Sequence, residues 1–141
     1  YQDLDSFLAA LPRDFHYGVE IRNEEYLTGE YLECLHAHNV THVINAWSRM
    51  PEIGEQLDIP GVKTAGTMMC RALLQRGRKY EQAVNLFEPY DRVQDPYPAG
   101  REALRRLIQE ARADGRSAFV FINNRFEGNS PGTILAVTEG E

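Results

Sequence analysis

Phe119-Val-Phe-Ile-Asn-Asn-Arg-Phe-Glu-Gly-Asn-Ser-Pro131 opens on four apolar residues and closes on a polar turn. A short, continuously apolar run bounded by turn residues reads as a parallel strand buried on both faces. The polar loop then meets a helix start, with Ser130 as cap and Pro131 at the first position. Upstream, Ala103, Leu104, Leu107, Ile108 and Ala111 form one helical face that Gly115 ends. A connection broken by Pro89, Pro96, Pro98 and Gly100 separates that helix from a shorter one over 80–87. Further back, Thr41 to Ala46 is rich in β-branched residues, and Val62 to Cys70 is a weaker strand candidate. In His16 to Arg22, Tyr17, Val19 and Ile21 face one way, and Gly18, Glu20 and Arg22 the other. Helices are expected over 3–11, closed by Pro12, and from a Thr28 cap to about Asn39. The order α-βα-βα-βα-βα, with strands near 16–22, 41–46, 62–70 and 117–122, implies a parallel sheet with right-handed crossovers. Four such strands suit a small doubly wound domain or half of an eight-stranded barrel, and periodicity alone leaves both open.

The 141 residues make one α/β unit of ordinary globular composition, 43% hydrophobic and 26% charged. A net charge of -6 speaks against a nucleic-acid partner, because phosphate neutralisation needs a basic face. No apolar run reaches the ~18 residues of a membrane span, and the first residues lack a signal-peptide pattern. A first residue other than Met suggests that the chain begins inside a longer one. Cys34 and Cys70 are expected to be reduced, buried thiols, which places the chain in the cytoplasm. Arginine outnumbers lysine 13 to 2, through base composition or through a need for bidentate anion clamps.

Parallel α/β folds bind ligands at the carboxyl ends of their strands. Those positions here hold Glu20, Arg22 and Asn23; Asn45, Trp47 and Arg49; Cys70 and Arg71; and Asn123, Asn124, Arg125 and Glu127. An inward Glu20 would be partly desolvated, which favours a catalytic carboxylate or an internal pair with Arg22 two residues on. The start of the last helix offers unpaired amides and a positive dipole end to an anion, with Gly128 allowing close backbone approach. Gln75-Arg-Gly-Arg-Lys79 is a solvated loop or an additional anion contact at the same mouth. Cys34-x-His36-x-His38-x-x-x-His42 suggests zinc, but His36 and His38 point to opposite helix sides and His42 begins a strand, so no metal site is expected. No phosphate-cradling glycine loop and no Gly-x-Ser-x-Gly occurs.

Val19-Glu20-Ile21-Arg22 and Phe121-Ile-Asn123-Asn124-Arg-Phe-Glu127-Gly128-Asn-Ser-Pro131 resemble the domain of unknown function 72 (YecE-like) family. Trp47-Ser-Arg49-Met50-Pro51 and Arg71-Ala-Leu-Leu-Gln-Arg-Gly-Arg78-Lys-Tyr80 resemble one branch of it. The resemblance implies a (β/α)8 TIM-barrel-type fold of roughly 250 residues, this chain supplying about four βα units of its second half. It implies no established reaction. The sequence departs from the family pattern at Ile21, where an aromatic is common, over Asn23 to Tyr26, and at Thr64-Ala65-Gly66, which lacks an arginine and a histidine common elsewhere.

The expected function is binding of a small anionic or polyhydroxylated molecule at the strand mouth, without a cofactor. For catalysis, as an isomerase or hydrolase, Glu20 would be the acid/base, aided by Arg22, Asn123 and Asn124. Asn45, Trp47, Arg49, Arg71, Tyr80 and Glu127 would bind the ligand. The alternative is a non-catalytic binding or scaffold protein. A half barrel also leaves bare strand edges, so upstream barrel sequence or self-association is expected to complete it.

Overall fold

Leu104, Leu107 and Ala111 recur every three to four residues on the longest helix, and all three are buried. They press on Ile44, Ala46, Met68, Cys70 and Ala72, the alternate residues of two central strands, to make the main core. In this computed structural model, which describes residues 2–139, the elements run α1 (Gln2–Ala9), β1 (Gly18–Val19), a short 3-10 turn (Glu24–Tyr26), α2 (Gly29–Ala37), β2 (Thr41–Ala46) and α3 (Ile53–Leu57). There follow β3 (Thr67–Ala72), α4 (Tyr80–Phe87), α5 (Pro98–Ala113), β4 (Ser117–Ile122), α6 (Asn124–Glu127) and α7 (Ser130–Thr138). All strand pairs are parallel and the spatial order is β1-β2-β3-β4.

That order bears on the two architectures left open by periodicity. A doubly wound sheet reverses its strand order at a switch point, whereas a barrel adds each strand beside the last. Strands here follow one another without reversal. Register puts Asn45 beside Arg71, and Arg71 beside Phe121, on one face. A second cluster (Leu8, Tyr31, Leu32, Leu35, Val40) lies under α1 and α2, where Tyr17, Val19 and Ile21 join it as their alternation predicts.

Four local expectations need correction. β1 has only two laddered residues rather than the span 16–22; beyond them the Asn45 side chain takes over, donating from Nδ2 to Ile21 O at 2.8 Å. β3 starts at Thr67 rather than Val62 and runs through Arg71. Residues before it are held by Thr64, whose hydroxyl donates to Val40 O (2.6 Å) and accepts from the His42 amide (2.8 Å). Pro98 and Gly100 lie inside the first turn of α5 rather than before it. Proline is tolerated there, and a Cβ on Gly100 would strike Tyr97 and Phe126. Finally, β4 is not buried on both faces: Phe119 is 48% and Phe121 58% exposed, because β4 is the edge of the sheet and no described residue covers that face.

Candidate functional site at the strand mouth

The alternation that buries Val19 and Ile21 turns Glu20 to the opposite face, where its carboxylate is 14% exposed. Arg22 Nε donates to Glu20 Oε1 at 3.0 Å, and Arg71 Nη1 donates to Glu20 Oε2 from two strands away. The internal Glu20–Arg22 pair therefore forms, extended by a second guanidinium. Two cations compensate the partial burial of this carboxylate.

Arg22 lies over the Trp47 ring, its guanidinium carbon 4.4 Å from the centroid. Arg125 mirrors it across the mouth, 4.2 Å from the Tyr80 centroid, with Nη2 donating to Tyr80 Oη at 2.7 Å. Asn123 caps α6: its Oδ1 accepts from the Arg125 amide (2.9 Å) and from Arg125 Nη1 (3.2 Å). Arg22, Trp47, Arg71, Leu73, Leu74, Tyr80, Asn123 and Arg125 enclose a hollow of about 180 Å³. Arg125 Nε is buried there without a partner among the described residues. Three guanidinium groups and one carboxylate leave the mouth positively charged in a chain of net charge -6.

Of the residues singled out from the sequence, Arg22, Trp47, Arg71, Tyr80 and Asn123 line this hollow, and Glu20 anchors two of its arginines. Asn45 is fully buried beneath it, with Oδ1 unpartnered. Three residues lie elsewhere. Arg49 is exposed near Glu25; that carboxyl is held below its usual range by a backbone hydrogen bond, with Asn23 and Arg49 adding to the effect. Asn124 turns away, its Oδ1 accepting from the Ser130 amide at 2.8 Å. Glu127 is wholly buried in a different network, accepting from Arg101 Nε (2.8 Å) and Nη2 (2.9 Å), Thr133 Oγ1 (2.8 Å) and the Tyr97 amide (2.5 Å). Arg125 is the residue the sequence reading undervalued; its place directly after the two asparagines was the available signal.

The expected anion site at the last helix start is occupied by the chain itself. Asn129, not Ser130, is the cap: its Oδ1 accepts the Gly132 amide, and Asn124 takes that of Ser130. Gly128 (φ +112°) allows a close approach, but by the chain's own Arg92 carbonyl oxygen, which a Cβ would meet at 2.8 Å. The basic loop also turns elsewhere, Arg78 pairing with Asp95 and Arg76 with Glu55 (3.2 Å). The Cys34–His42 stretch divides. His36 Nδ1 lies against Thr64 O (3.2 Å), and His42 is buried on β2, while Cys34, only half-buried, and His38, the C-cap of α2, lie beside Asp5. No helix among the described residues is long and apolar enough to cross a membrane.

The family model described as "Protein of unknown function DUF72" matches residues 1–139. No curated protein matches the chain. Among solved structures it is similar to a DUF72 family protein from Thermotoga maritima, determined at 2.20 Å resolution, with 18% identity and a TM-score of 0.62. The match covers 98% of this chain and 50% of that one, so the chain spans half the length of that protein.

Proposed function

The chain belongs to the DUF72 family of proteins of unknown function, and from that premise we propose that it binds a small anionic molecule at the strand mouth. The observation that carries this reading is the convergence of Arg22, Arg71 and Arg125 on one hollow with Glu20 as their only carboxylate partner there among the described residues. Arginine presents planar forks that match carboxylates and phosphates, and the unpaired Arg125 Nε is a donor awaiting an acceptor. A volume of about 180 Å³ suits a phosphate or carboxylate carried on a few carbon atoms.

Polyhydroxylated neutral ligands fit less well. Sugars stack on open aromatic faces, and here guanidinium groups already cover one face each of Trp47 and Tyr80. Catalysis by Glu20 is also the weaker reading. Both its oxygens already accept N–H groups from Arg22 and Arg71, so it is engaged in positioning those two guanidinium groups. Calorimetric titration tests the proposal: a phosphate ester or small carboxylate binds with salt-sensitive affinity, and neutral sugars do not. Equal affinity for a neutral sugar would overturn it.

The same reading makes the chain part of a (β/α)8 barrel, with further strands beside β4. Its support is the unreversed strand order, the open inner face at Phe119 and Phe121, and the twofold length of the Thermotoga maritima protein.

A further inference from the structure

We propose that Asp5, Cys34 and His38 form a binding site for a divalent transition metal of the zinc class. Cys34 and His38 are four residues apart at the end of α2, so both project to one side of it. Asp5 faces them from α1, which packs against α2 through Leu4 and Leu8. The three candidate ligand atoms, a sulfur, an imidazole nitrogen and a carboxylate oxygen, lie within 4.8 Å of one another. Zinc bonds of about 2.0–2.3 Å in tetrahedral geometry put neighbouring ligand atoms about 3.3–3.8 Å apart, so a side-chain shift of about 1 Å closes the set.

His38 Nε2 and Asp5 Oδ1 are 2.8 Å apart in a direct hydrogen bond, which a metal ion would replace as the two atoms open to about 3.3 Å. Thiolate with imidazole selects zinc, cobalt, nickel or copper over magnesium or calcium. A metal ion binds the sulfur as thiolate, so its binding releases the thiol proton. Three protein ligands leave a fourth position for water. The site lies where α2 ends and β2 begins, at the opposite end of the sheet from the arginine hollow, so its effect is to fasten α1 to α2.

Cobalt(II) titration of the full chain tests this, because a thiolate ligand gives a near-ultraviolet charge-transfer band and tetrahedral geometry gives intense visible bands. One equivalent is expected to produce both. Cys34→Ser should abolish the charge-transfer band, and His38→Ala or Asp5→Asn should weaken binding by about tenfold or more. A second measurement needs no variant: zinc should protect Cys34 from a maleimide, with the fully buried Cys70 as the unreactive control. No band at one equivalent, a band that survives Cys34→Ser, or alkylation of Cys34 at the same rate with and without zinc would overturn the site.

Discussion

His42 makes the stability of this chain depend on mild acid. Its imidazole is 2% exposed on β2, packed edge-on against Tyr31 with ring centroids 5.6 Å apart. Nδ1 lies 3.1 Å from the Tyr31 hydroxyl, and Nε2 has no hydrogen-bond partner among the described residues. Burial lowers its pKa from 6.5 to about 4, outweighing the opposing effect of Gln56. The unfolded chain therefore takes up a proton near pH 6.5, and the folded chain resists doing so until about pH 4. Between these values the unfolded state binds more protons, so stability falls as pH falls; above the window this residue contributes no slope. The full effect is about 3 kcal/mol, a large share of the ~5–15 kcal/mol that holds a domain folded. Urea unfolding from pH 7 to pH 4.5 reads it directly, with His42→Gln as reference, because every other titrating group is common to both chains. Wild type should lose about 2–3 kcal/mol more than the variant over that range. An NMR titration of the native His42 ring should give a midpoint near 4. Parallel stability curves, or a native midpoint near 6.5, would refute the reasoning.

Glu127→Ala removes the carboxylate paired with Arg101 and takes an acceptor from the Thr133 hydroxyl and the Tyr97 amide. It should cost about 3 kcal/mol or more in chemical denaturation, and a loss under about 1 kcal/mol would show the network to be dispensable. Gly128→Ala puts a side chain at φ +112° against Arg92 O and should cost about 1–3 kcal/mol by the same assay; unchanged stability would mean the 92–94 segment moves aside freely. Phe119 and Phe121 on the open inner face predict self-association of the 141-residue chain at micromolar concentration, reduced by Phe121→Ser. Light scattering that finds a stable monomer would contradict the bare-face reading.

Strands and helices were legible where one face decides the pattern. Leu104, Leu107 and Ala111 mark α5, and the alternation of Val19 and Ile21 correctly turns Glu20 and Arg22 to the other side. Reading failed where a residue type carries two meanings. Pro98 and Gly100 resemble helix breakers, yet one suits a first turn and the other a contact with no space for a Cβ. The apolar run at Phe119 suggests burial on both faces, but β4 is the edge of the sheet and Phe119 and Phe121 stay exposed, which local periodicity does not reveal. Glu127 in a polar loop has the same appearance whether it faces a ligand or a half-buried Arg101 from 26 residues upstream, and only the fold distinguishes them. Likewise His36 and His38 could be judged together from their spacing, but the approach of Asp5 to Cys34 and His38 depends on how α1 packs.

Trp47 is the only tryptophan in the chain and lies against Arg22 in the wall of the hollow, so its fluorescence reports on the proposed site alone. Titration with a small phosphate ester at low salt should give a saturable change in emission that Arg71→Gln abolishes and added salt weakens. No change with any small phosphate or carboxylate, or the same change with a neutral sugar and with Arg71→Gln, would contradict anion binding at this mouth.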